Sequence, residues 1–170
     1  MDNKIITLPQ ETIKEKIKEK KDRVILEKEK WDLEDQYFDP INQYEILVNN
    51  DNNKVYNKMI QQIQRKISSY KSQDKEKKLF NNNKFITIEN VIDKIKNCSM
   101  KCFYCNDYVK ILYKIVKDPK QWSVERINND FGHNNDNFEI ACLKCNLHRK
   151  TMYHERFLFT KQLNIVKNDI

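Results

Sequence analysis

Apolar positions follow helical spacing through the first half of this chain and change to short alternating runs in the second. Ile17, Val24, Trp31 and Phe38 recur every seven residues, with Ile13 four before the first. Lys20, Glu27 and Glu34 interrupt the companion seam, so the spacing predicts a long charged helix over 10–38 with a narrow apolar stripe. Asp39-Pro40 ends it and caps a shorter helix bearing Ile41, Tyr44, Leu47 and Val48. The polar run 49–53 reads as a loop. A second long helix follows, with Tyr56, Ile60, Ile63, Ile67 and Tyr70 in alternating steps of four and three. These helices are expected to pack on each other or on a second copy, with their Lys- and Glu-rich faces solvated.

The charge run 71–78 and Asn81 to Asn83 predict a linker. A short strand at Phe85 and a helix bearing Ile88, Val91, Ile92 and Ile95, capped by Thr87, come next. Beyond Cys98 the pattern predicts strands over 109–116, 122–127 and 138–142, with Trp122 as core packing. A helix is expected to open at Cys142 to Cys145, and another to run over 154–166 with Phe157, Leu163 and Val166 inward. The fold class is therefore α+β, with an α-helical arm over 1–80 and a second domain over 81–170.

Only 39% of the 170 residues are apolar and 34% are charged, so a large self-sufficient core is not expected and a metal staple fits the shortage. A formal charge of +7 favours a polyanionic partner, although 25 acidic residues are mixed among the 32 basic ones. No apolar run is long enough to span a bilayer, and the first residues lack the pattern of a secretory leader. An intracellular, reducing setting is the expectation, and there paired cysteines serve as metal ligands more often than as disulfides.

Cys102-Phe-Tyr-Cys105 and Cys142-Leu-Lys-Cys145 each have the spacing that lets two thiolates reach one tetrahedral ion from a tight turn. Together they predict one structural Zn²⁺, with Cys98 left over. Lys144, Arg149, Lys150 and Arg156, with Tyr153 and Phe157 interleaved, form a candidate strip for nucleic-acid phosphates. Gly132, the one glycine in the chain, is expected to supply a positive φ in the loop before His133.

Knuckle, hairpin, second knuckle and a helix beginning there make a zinc-stapled treble-clef ββα order. Over residues 98–155 the chain resembles the HNH, or His-Me finger, endonucleases. The likeness is to the four-cysteine kind found in phage recombination endonucleases and in HNH-like proteins of large DNA viruses. Glu125-Arg126-Ile127 stands where that family has D-H-I, Asn137 stands at its loop asparagine, and Asn146 follows the last cysteine as in its C-x-x-C-N. The resemblance implies a metal-dependent DNA endonuclease in which Glu125 and Asn146 hold a catalytic Mg²⁺ or Mn²⁺ and Asn137 braces the loop. Arg126 replaces the family's general-base histidine. A guanidinium has donors and no acceptor, so Arg126 is suited to clamp a phosphate, and His133 and His148 are left as candidates for the base. RNA remains open as a substrate beside DNA. Two other readings stand beside the enzyme: a nucleic-acid-binding finger without catalysis, serving viral transcription or packaging, and a zinc-stabilised protein-interaction module.

Overall fold

The computed structural model describes residues 32–50 and 53–163. The stripe at Ile13, Ile17, Val24 and Trp31 lies outside the described residues, as does Val166. Where the expected first helix reaches them, Asp32 to Glu34 are not helical and Asp35–Phe38 form one 3-10 turn. Helix α1, Pro40–Asn49, starts where the Asp39-Pro40 pair predicts: the Asp39 carboxylate accepts from the Ile41 and Asn42 N–H groups, and Pro40 occupies the first turn. Leu47 faces inward, whereas Ile41 and Val48 are exposed. Asn50 ends α1 in the left-handed region, and Asn53 caps α2, Lys54–Glu76, through the Tyr56 N–H.

Helix α2 overruns the expected linker, since Lys71 to Glu76 are helical. The reason is Asp74, which continues the Tyr70 seam by another four residues and is buried. Helix α3, Ile88–Asn97, has a capping box in which Thr87 Oγ1 accepts from the Asn90 N–H and Asn90 Oδ1 accepts from the Thr87 N–H. Phe85 makes one isolated bridge, to Asn134, in place of a strand.

The sheet is a single antiparallel hairpin of β1, Trp122–Arg126, and β2, Phe138–Cys142, paired from Trp122↔Cys142 to Arg126↔Phe138. Helix α4, Leu143–Arg149, leaves β2 directly, and α5 spans His154–Gln162. Phe157 is buried as expected, but Leu163 is 48% exposed and does not join the core.

The segment 109–116 is not a strand. Ile111 and Leu112 are buried, and both their N–H groups donate to Gln43 Oε1 at 2.8 and 3.0 Å. Gln43 Nε2 in turn donates to the Leu112 and Tyr37 carbonyls. A fully buried amide from α1 therefore takes the place of a partner strand, as buried backbone requires.

A two-stranded hairpin alone is marginal in water. Here α2 lies along the outer edge of β1: Lys66 Nζ donates to the Trp122 carbonyl, and the Val124 N–H donates to Tyr70 Oη at 3.1 Å. Leu47, Met59 and Ile63 of α1 and α2 share one apolar core with Ile111, Leu112, Trp122 and Ile140. The described chain is α+β, with five α-helices, one hairpin and a cysteine cluster in its C-terminal half.

Candidate metal centre and adjoining cleft

Backbone geometry brings the two cysteine pairs together. In the first knuckle the Cys102 N–H donates to the Asp107 carbonyl and the Asn106 N–H to the Cys102 carbonyl, with Asn106 at φ 58°. The Phe103 N–H donates to the Ile140 carbonyl at 2.8 Å, fastening this knuckle to β2. The second knuckle is the start of α4, whose Leu143 and Lys144 N–H groups donate to the Gln121 and Pro119 carbonyls. The four sulfurs of Cys102, Cys105, Cys142 and Cys145 consequently lie within 4.8 Å of one another.

A tetrahedral ion with Zn–S bonds of about 2.3 Å sets its sulfurs about 3.8 Å apart. The Cys105–Cys142 Sγ separation is 3.9 Å, so the cluster fits one such ion. Cys98 stands outside it, its Sγ 3.4 Å from the Ile95 carbonyl. Packed this closely, the thiols titrate together: the bond with Cys142 lowers Cys102 to about 5 and pushes Cys142 up, and burial raises Cys145 to about 12.

Beside this cluster, β1, α2 and α4 enclose a cleft of about 490 Å³. Glu125, Arg126, His133, Asn146 and Lys150 line it, so five of the candidate residues meet in one place. Asn137 stands behind it and braces the loop: its side-chain amide donates to the Asn128 and Gly132 carbonyls, and its Oδ1 accepts from the Asn128 N–H. Lys144, His148 and Arg156 are exposed and do not line the cleft.

Arg149 departs from the expected cationic strip. It is 2% exposed, and its guanidinium donates to Glu125 Oε1 and to the Arg126 and Ile127 carbonyls. Its partner Glu125 is buried too, and burial raises the Glu125 carboxyl above its ordinary value although Arg149 pulls the other way. Asn146 Nδ2 donates to Ser123 Oγ and the Val124 carbonyl, which turns Oδ1 the opposite way. Arg126 Nη1 donates to the Asn129 and Phe131 carbonyls.

Two residues of α2 that line the cleft, Lys66 and Tyr70, and one behind it, Asp74, were not legible as site residues. Lys66 lies over the Trp122 ring at 4.6 Å, and burial lowers it to about 7. Tyr70, raised to about 12 chiefly by burial, stacks on His133 at 4.4 Å. Asp74 accepts from the His133 N–H at 2.6 Å and sits 2.7 Å from its Nδ1. The signal was in the seam, since 60, 63, 67, 70 and 74 keep one alternation of three and four. Gly132 does not have a positive φ; a Cβ there would meet the Leu79 carbonyl at 2.6 Å and Asp74 Oδ2 at 2.7 Å, so glycine is needed for close approach.

No family model matches this chain, nor does any curated protein or solved structure. Among the described residues no helix is long and apolar enough to cross a membrane.

Proposed function

We propose that this chain is an HNH-like, metal-assisted nuclease that hydrolyses nucleic-acid phosphodiesters in the cleft between α2, β1 and α4. The observation that carries the reading is the meeting of Glu125, Asn146 and His133 beside a four-cysteine cluster. Glu125 has a second carboxylate oxygen not engaged by Arg149, and Asn146 Oδ1 has no hydrogen-bond partner among the described residues. One carboxylate and one amide oxygen form the sparse hard-donor set that suits Mg²⁺ or Mn²⁺ when water and phosphate complete the shell. A bound ion would supply charge neutralisation at the phosphoryl and departing oxygens. Arg126 retains donors beyond the Nη1 bonds it makes, so it serves as a phosphate clamp, and Lys77 and Lys150 add positive charge to the rim.

The test is nicking of plasmid, branched DNA and RNA with added Mg²⁺ or Mn²⁺. Glu125→Gln and Asn146→Ala are expected to abolish cleavage with zinc content retained; Asn146→Ala melts near wild type, whereas Glu125→Gln leaves Arg149 without its charged partner and melts lower, so its activity is read well below that transition. Cleavage that persists in both variants would remove this site from consideration.

A nucleic-acid-binding role without hydrolysis is favoured by one observation, the buried Arg149–Glu125 ion pair, which neutralises the carboxylate a cation would need. That reading expects salt-sensitive binding and no metal-dependent nicking.

A further inference from the structure

We propose that Asp74 and His133 form a dyad in which the arm helix α2 holds the histidine so that Nε2 takes the proton from the attacking water. The inference rests on the nuclease reading above and fills the role that Arg126 cannot, because a guanidinium offers no lone pair. Of the chain's three histidines, His148 is exposed and outside the cleft. His154 is tied by Nδ1 to Tyr104 Oη at 3.1 Å and stacks on Phe103. His133 lines the cleft.

Its orientation is held through the backbone N–H, one ring nitrogen and one ring face. Asp74 is 1% exposed and binds both the His133 N–H and its ring Nδ1. An ionised carboxylate only accepts, so Nδ1 carries the proton and Nε2 keeps the lone pair. Among the described residues Nε2 has no hydrogen-bond partner, and it is not among the sealed, unpaired polar atoms. Tyr70 stacks on one ring face, and the loop runs so close to Asp74 and Leu79 at Gly132 that a Cβ there would collide with both.

The groups around the ring are Asp74 and Tyr70 from α2, Lys77 at its C-terminal cap and Arg126 from β1, with Lys66 and Glu125 further along the cleft. Burial lowers the His133 pKa, with Arg126 and Lys77 acting in the same direction, and Asp74 opposes them. The ring is therefore neutral near pH 7, as a base must be. In the step, a water O–H bond breaks and its proton passes to Nε2 while the water oxygen bonds to phosphorus. The P–O ester bond breaks, and the departing oxygen takes a proton from solvent.

The experiment is single-turnover nicking by the full zinc-loaded chain across pH, with DNA affinity measured alongside. His133→Ala is expected to slow nicking by about 100-fold or more with affinity retained. Asp74→Asn keeps the shape but not the charge; it is expected to slow nicking by more than about tenfold. Because Asp74 raises the histidine pKa, its loss moves the acid limb of the rate profile to lower pH. The double variant is expected to be no slower than His133→Ala. A pair that merely ties loop to helix would leave the pH profile in place. Should Asp74→Asn fail to fold, ¹⁵N spectra of the histidine-labelled wild type decide: the Nδ1–H tautomer supports the dyad and the Nε2–H tautomer overturns it. Full nicking by His133→Ala alongside an inert Asn146→Ala overturns the dyad and leaves the cleft reading standing. A wild-type chain that never nicks overturns both.

Discussion

Replacing Arg149 by methionine keeps most of the side-chain volume and removes a buried charge. Glu125 is then left ionised in a site where it is 5% exposed, and the Arg126 and Ile127 carbonyls each lose a donor. Breaking a buried ion pair from one side costs about 3–5 kcal/mol, and each stranded carbonyl adds about 1 kcal/mol unless water reaches it. For a chain of this length that corresponds to a fall in Tm on the order of 10 °C or more. The penalty also depends on pH. Burial already raises the Glu125 pKa against the pull of Arg149, so without Arg149 it rises further. At acid pH the carboxyl is protonated whether folded or unfolded and carries no penalty. Destabilisation therefore grows as pH climbs from the ordinary carboxylate value through the raised one. Urea unfolding of wild type, Arg149→Met and Glu125→Gln/Arg149→Met from pH 5 to 8, with the same zinc in every buffer, isolates the effect because any metal at the cysteine cluster is common to all three. The double variant is expected to regain most of the stability and to lose the pH dependence of the single one. A single variant within about 1 kcal/mol of wild type, or no recovery in the double, would refute this account of the ion pair.

Two further outcomes follow from the metal centre and the loop. Removing the metal with a chelator, or changing Cys142 to serine, is expected to collapse the hairpin and α4 together, since structural zinc contributes folding free energy directly; circular dichroism and metal analysis read this, and a native spectrum without metal would contradict it. Gly132→Ala places a methyl 2.6 Å from the Leu79 carbonyl and 2.7 Å from Asp74 Oδ2 and is expected to cost about 1–3 kcal/mol, seen as a lowered urea midpoint.

Local chemistry was legible in the sequence and distant chemistry was not. The caps at Asp39 and Thr87 act within three residues of themselves, and the two C-x-x-C pairs carry their turn geometry in their spacing. Ile111 and Leu112 looked like a strand because apolar runs do. The group that satisfies their backbone is Gln43, 68 and 69 residues earlier, and nothing local announces it. Asp74 was hidden for a different reason: a carboxylate within a charged run resembles solvated surface, and only its place on the helical seam marks it as inward. Arg149 misled in the same way, since a basic residue on a basic helix gives no sign that a carboxylate on the neighbouring strand draws it inside.

The Gln43 amide has a practical consequence for anyone dissecting this molecule. Trimming the chain to begin at Asn81, where composition suggests a natural cut, would strip three hydrogen bonds from the 111–112 segment and bare the Trp122 edge. Such a fragment would expose unpaired amides and apolar surface that the intact chain conceals, so insolubility of an isolated finger would reflect where the scissors fell rather than any defect in its cysteine cluster.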